Sequence, residues 1–400
     1  MAAVTEAGDR LARFNAWVLA AAAALAGANA SVVVATSGLV GRVLTGEMKL
    51  ATVPVLTFVI GTAVSAFPAA FSMRRFGRRN GFAGGALFGV LAGVLGAVAI
   101  IHGSFLLFCI ATFSCGAYQA FVVQYRFAAA DTATPAYRPR VIALALGGGL
   151  AAAFVGPQLV IQTQDMWAPY LFAATYVAQA AFAAIAFFVL LLLRAPPLHE
   201  WPRGKGRPIG EILSDRRLVA AMLLGMVSQG VMNLVMTSTP LAMVGCGLSV
   251  ASAAYAIQWH IIGMYAPSFV TGQLIARFGI ARIGLVGCAI FVICGLVAQA
   301  GISVLHFDIA LLLLGVGWNF AFLSATAAVT GAARPEERAK VQATNDVVVF
   351  GGTAFAAYFS GVLLGLFGWA GIAATVFPAA ALGAMLILVS RRRSQRLATA

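Results

Sequence analysis

Twelve stretches of about 20 or more residues are almost purely apolar, and they leave few folds open to this chain. They lie near 16–39, 50–72, 81–102, 104–125, 141–162 and 169–193, then near 218–242, 251–275, 281–302, 307–330, 341–363 and 368–390. A hydrocarbon layer of about 30 Å takes about 20 residues of helix at about 1.5 Å per residue. No water is available there to bond backbone N–H and C=O groups, so each run must satisfy its own as a helix. The expected fold is all-α and polytopic, with twelve transmembrane helices.

Composition supports that solvent. Of the 400 residues 62% are hydrophobic and 10% charged, with a mean hydropathy of +0.95. A soluble domain could not hide so much apolar surface. The formal net charge of +14 would suit a polyanion, but the basic residues stand in short clusters between apolar runs, so no nucleic-acid partner is expected. Arg10 and Arg13, Arg74 to Arg79, Arg126 to Arg140, Arg194 to Arg217, Arg277 and Arg282, Arg334 to Lys340 and Arg391 to Arg396 all fall on one side of the twelve-span topology. Arg42 and Lys49 fall on the other. Basic loops stay inside, so both termini are expected in the cytoplasm. The first run is too long for a signal-peptide core and reads as an anchor. Cys109, Cys115, Cys246, Cys288 and Cys294 lack metal-ligand spacing, and neither a metal nor a cofactor is expected.

The chain repeats itself. Pro135-x-x-Arg138-x-Arg140-Val141 returns 200 residues later as Pro335-x-x-Arg338-x-Lys340-Val341. Arg75-Phe76-Gly77 returns 202 residues later as Arg277-Phe278-Gly279. Both pairs fall in equivalent loops, so two pseudo-symmetric six-helix bundles are expected: residues 1–193, a proline-rich cytoplasmic linker over 194–217, and residues 218–400. Parallel repeats of this kind hold a substrate near mid-membrane.

On these residues the whole chain resembles the major facilitator superfamily. The family pattern Gly-x-x-x-Asp-Arg-x-Gly-Arg-Arg corresponds to Ala70 through Arg79, with Arg74 at the acidic place, and again to Gly272 through Arg282, with Ala276 there. The resemblance implies a secondary transporter of a small organic solute working by alternating access, with Arg75, Gly77, Arg78, Arg277, Gly279 and Arg282 in gating roles. A purely topological anchor also accounts for these arginines. Gly147-Gly148-Gly149 running into Gly156-Pro157 is similar to the family's antiporter motif, which adds Gly156 and Pro157 to the gating set. The run from Val235 to Gly247, with Gln258-Trp259-His260 and Ala266-Pro267-Ser268-Phe269, resembles an alphaproteobacterial subgroup associated with riboflavin uptake. The implied location is the bacterial inner membrane, and a monomer is expected. Proton-coupled efflux of drugs or metabolites is the alternative, and a non-transporting receptor or assembly factor is the alternative of another class. No nucleotide-binding pattern or nucleophile–base pair suggests an enzyme.

An ionisable side chain at mid-membrane costs about 2.5–3.5 kcal/mol on insertion scales, so each needs a cavity or a partner. Two lie well inside the runs, His260 and Asp346. Both are candidates for carrying a coupling proton; a hydrogen-bonded neutral imidazole and a cytoplasmic ion pair are the plainer readings. Asn29 and Thr36, Tyr118 and Gln119, Gln229 and Asn233, Trp318 and Asn319, together with His260, form the candidate substrate-binding set. Aromatics and amides suit a flat, polar-edged solute, although each also serves as interhelical glue worth about 0.6 kcal/mol.

Overall fold

A computed structural model describes residues 2–131, 133–134, 137–194, 207–334 and 337–398, without the side chains of 2–8, 126–127, 130, 138–139, 142–143, 146, 338–339 and 391–398. Most of the linker, Pro135 and Pro335 lie outside the described residues. Seven helices precede the linker: α1 (Ala2–Thr45), α2 (Met48–Ala51), α3 (Val53–Ile101), α4 (Phe105–Val122), α5 (Tyr125–Ala130), α6 (Arg138–Thr163) and α7 (Ala173–Leu190). After it come α8 (Ile209–Ile212), α9 (Arg216–Gly245), α10 (Val250–Tyr265), α11 (Ser268–Phe278), α12 (Ile280–Ala300), α13 (Val304–Ala332), α14 (Arg338–Ala374) and α15 (Val376–Ala398). The chain divides into two compact units, residues 1–199 with 253–258, and residues 200–252 with 259–400.

Each of the twelve apolar runs falls on helix. Among the described residues, eight continuous helical stretches are long and apolar enough to cross a membrane. Three of the four runs not counted separately have a physical account, and the remaining one is the fifth run, on α6. The 49 residues of α3 carry two runs and would reach about 73 Å if straight, far beyond one bilayer core. The helix breaks at Gly77, where φ is 78° and ψ is 163°. Likewise α14 breaks at Gly368, and the eighth run is divided into α10 and α11 around Pro267. Large apolar side chains such as Phe67, Leu106, Phe188, Phe355 and Phe367 are exposed, as lipid-facing residues must be.

Inside each unit, small residues let the backbones approach. Along the contact of α1 with α6, a Cβ added at Gly148 would lie 2.2 Å from the Ala20 carbonyl oxygen, and one at Gly156 2.3 Å from the Ser31 Cβ. Gly148, Ala152 and Gly156 therefore form a flat stripe at a spacing of four, the membrane form of small-residue packing. Where α10 meets α13, a Cβ at Gly315 would lie 2.4 Å from the His260 carbonyl oxygen, and one at Gly263 2.5 Å from that of Leu312. This second close approach holds His260 against α13.

Candidate functional site

The two arginine-bearing turns share one geometry. Gly77 and Gly279 adopt φ/ψ of 78°/163° and 86°/152°, a region open essentially to glycine, and each is the sole break between two helical segments. The loop expected at Arg277-Phe278-Gly279 is thus a one-residue hinge between α11 and α12. Arg75, Arg277 and Arg282 are exposed, and the Arg277 guanidinium lies 5.3 Å from the centre of the Phe278 ring. Arg78 instead donates through Nε and Nη2 to the two carboxylate oxygens of Asp131, the second contact at 3.1 Å. The basic turn of the first unit therefore has an acidic partner despite Arg74 at the motif's acidic place. Gly156 and Pro157 are both buried, Gly156 against Ser31.

The polar candidates of the first unit form two buried knots. Asn29 donates from Nδ2 to the Cys115 carbonyl at 3.3 Å, while its Oδ1 accepts from Gln179 Nε2 at 2.9 Å and from the Cys115 thiol. Thr36 and Ser37 each lie 3.2 Å from the Tyr176 hydroxyl. Asn29 and Thr36 share a helix but not a partner. Tyr118 is fully buried in the unit's core with Phe82 and Tyr125. Gln119 is half-buried. Gln179, Tyr176 and Ser37 had been passed over in the sequence; an amide inside an apolar run was the available signal for Gln179.

In the second unit Trp318 and Gln229 come together. The indole Nε1 donates to Gln229 Oε1 at 2.7 Å, and the Trp318 ring stacks on Phe322 with centroids 5.0 Å apart and planes 13° from parallel. One turn along α9, Asn233 is buried with Oδ1 unpartnered, and Thr237 a further turn on has its hydroxyl oxygen in the same condition. A partly accessible stacked aromatic pair beside an amide stripe can recognise a planar heterocycle by its face and its polar edge. Asn319 is saturated: Nδ2 donates to the Met264 carbonyl at 2.7 Å and to Ser268 Oγ at 2.6 Å, and Oδ1 accepts from Thr271 at 2.6 Å.

His260 is fully buried, with Nδ1 3.0 Å from the Leu311 carbonyl. A carbonyl only accepts, so in the neutral ring Nδ1 carries the hydrogen and Nε2 presents a lone pair, which is buried and unpartnered. Asp346 is half-buried and accepts from Gln342 Nε2 at 2.7 Å. A further carboxylate escaped the sequence reading: Asp308, second in its apolar run, stands in the second turn of α13 with Oδ1 buried and unpartnered. Among the described residues, no three His, Cys, Asp or Glu side chains are grouped to hold a metal ion.

At the N-terminal end of α14, Glu337 is almost wholly buried and holds Arg207. Arg207 reaches its carboxylate with Nε at 2.7 Å, Nη2 at 2.9 Å and the backbone N–H at 3.1 Å. Lys340 donates to the Arg207 carbonyl at 3.3 Å. Hydrogen bonds from Arg207, more than the Coulomb attraction behind them, hold the Glu337 carboxyl down at about 2.

Comparison with known proteins agrees with this architecture. The family model described as Major Facilitator Superfamily matches residues 17–333. The riboflavin transporter RfnT of Brucella anthropi is 45% identical over 374 residues, covering 93% of this chain and 94% of that one. The uncharacterised MFS-type transporter YddS of Bacillus subtilis is 30% identical over 341 residues, 81% of this chain and 78% of its own. Among solved structures, a point mutant of the nucleoside transporter NupG superposes with a TM-score of 0.74 at 13% identity, covering 94% of this chain and 99% of that one.

Proposed function

Because the chain belongs to the major facilitator superfamily and is a membrane transporter rather than an enzyme, we propose that it carries riboflavin, or a closely similar flat heterocycle, into the cell. The observation that carries this reading is the 45% identity to a riboflavin transporter across nearly the full length of both chains. The second unit's chemistry supports it. An isoalloxazine has a large π face for the Trp318–Phe322 stack and a row of donors and acceptors for Gln229 and Asn233.

The cycle we infer is alternating access by two six-helix halves, residues 1–193 and 218–400, joined by the linker at 194–217. Both termini face the cytoplasm of a bacterial inner membrane, and the chain works as a monomer. Inward movement is coupled to protons, with His260 and Asp346 as the candidate carriers. The hinges at Gly77 and Gly279, with Arg75, Arg78, Arg277 and Arg282 around them, serve the cytoplasmic gate, and Gly156 and Pro157 serve the packing of α6 on α1. Expression in a riboflavin auxotroph at low external vitamin tests the reading. Growth rescue that disappears in a Trp318→Ala, Gln229→Ala double variant is expected; an auxotroph left dependent on high riboflavin by a well-expressed protein refutes it.

A further inference from the structure

Asp308 lies in α13, seven residues before Gly315. Seven residues at about 100° each bring a helix back to within about 20° of the same direction, so Asp308 and Gly315 lie on one face. Gly315 is where α13 meets the backbone of α10 at His260. Asp308 also precedes by one turn Leu311, whose carbonyl bonds His260 Nδ1. The carboxylate and the imidazole therefore occupy the same side of α13, one turn apart along its axis.

Both groups are incompletely satisfied in a complementary way. Asp308 is half-buried, with one oxygen sealed and unpartnered. His260 is sealed altogether and offers only the Nε2 lone pair. A buried polar atom with no partner is costly, and two on one seam call for an occupant. A proton is the smallest one that serves both. Among the described side chains, the other charged groups of the helices against α13, namely Arg216, Arg217, Arg277, Arg282, Lys340 and Asp346, sit toward the opposite end of those helices. Near the outer turns stand Cys294, whose thiol donates to the Ala310 carbonyl, and His306, which is bonded to Ser303. On α10, Tyr255 is exposed. Among the described residues, His260 thus meets no other carboxylate along this seam.

We propose that Asp308 and His260 form the proton-carrying pair of the transport cycle, with Asp308 as the entry group. This rests on the proton coupling inferred above and moves it from Asp346 to α13. A proton entering from the outer side binds a carboxylate oxygen of Asp308. Its transfer breaks that O–H bond, leaves the electron pair on oxygen and forms an N–H bond at His260 Nε2. The product is an imidazolium one turn along α13 from a carboxylate, with no change in the pair's net charge. Loss of the Nε2 proton toward the cytoplasm restores the starting state.

The test uses the full-length protein in proteoliposomes loaded with riboflavin, read in two modes. With an inward proton gradient of about one pH unit, a free energy worth about a factor of ten, uptake by wild type is expected to rise roughly tenfold, and Asp308→Asn and His260→Gln each lose that rise. Asp308→Glu recovers part of it, which a folding defect would not allow. A gradient response in Asp308→Asn equal to that of wild type overturns the proposal. Riboflavin exchange absent from wild type itself refutes the substrate reading instead. The pair is then judged by infrared difference spectra between acid and neutral pH, without any solute. A carboxylic-acid C=O band lost in Asp308→Asn upholds it, and the same band unchanged in that variant rejects it.

Discussion

Gly147 and Gly148 are neighbours in sequence and should respond in opposite directions to the same substitution. A Cβ at Gly147 meets nothing within 4 Å, whereas at Gly148 it would stand 2.2 Å from the Ala20 carbonyl oxygen. Carbon and carbonyl oxygen approach to about 3.3 Å at closest in helix packing, so Gly148→Ala must part α1 and α6 by about 1 Å. The obstacle is backbone and cannot rotate aside. Overpacking of this kind costs about 1–3 kcal/mol. Gly147→Ala has no such obstacle and gains up to about 1 kcal/mol of helix propensity. Both variants gain that propensity, so they should differ by the packing cost alone, about 1–3 kcal/mol in stability. The assay is thermal unfolding of the detergent-solubilised protein, followed by a dye that reacts with buried Cys109 and Cys115 as they open, in a Cys246→Ser background. Gly156→Ala, 2.3 Å from the Ser31 Cβ, should side with Gly148→Ala. A Gly148→Ala protein that unfolds at or above the temperature of Gly147→Ala refutes the packing argument.

Three further outcomes follow from particular contacts. The Glu337 carboxyl is held at about 2, below the ordinary value of 4.5. Its stabilisation is therefore complete above about pH 4.5 and is lost as pH falls toward 2. Glu337→Gln should be less stable than wild type by a constant margin at neutral pH, and that margin should narrow only in acid unfolding below pH 4.5. Trp318→Phe keeps the stack on Phe322 but removes the hydrogen bond to Gln229, worth about 1 kcal/mol. Riboflavin affinity, read from quenching of flavin fluorescence, should weaken about fivefold, and an unchanged titration removes Trp318 from the site. Cys246 is exposed just after α9, while the other four cysteines are buried. A membrane-impermeant maleimide should label wild type but not Cys246→Ser on intact cells; labelling only after permeabilisation reverses the assigned orientation.

The spans were readable from the sequence because lipid permits so little else. A run of apolar residues longer than the bilayer is thick has to be helix, wherever its neighbours lie. The Arg-Phe-Gly repeat was readable for a related reason. Its glycines stand at two backbone breaks that other residues seldom adopt, so the same local constraint left the same letters twice. Partners were another matter. Helical periodicity placed Gln229 and Asn233 on one face of α9, but Trp318 reaches Gln229 from 89 residues away and Gln179 reaches Asn29 from 150. Which helix a face meets is decided by packing across the unit. Asp308 stands at the edge of the apolar run near 307–330, whereas α13 starts at Val304 and carries the carboxylate into its second turn.

The hinges at Gly77 and Gly279 also limit what the helices on either side can do. A loop of several residues takes up slack, but a join of one residue has two torsions and about 3.8 Å of chain. Any shift of one helical end reaches the other almost undiminished. In the first unit, Arg78 is the next residue after that join, and its grip on Asp131 fixes the outgoing helix at its root. The two spans of α3 are thus geared rather than tethered, and length added at Gly77 should uncouple them where the same length added at an ordinary loop would be absorbed.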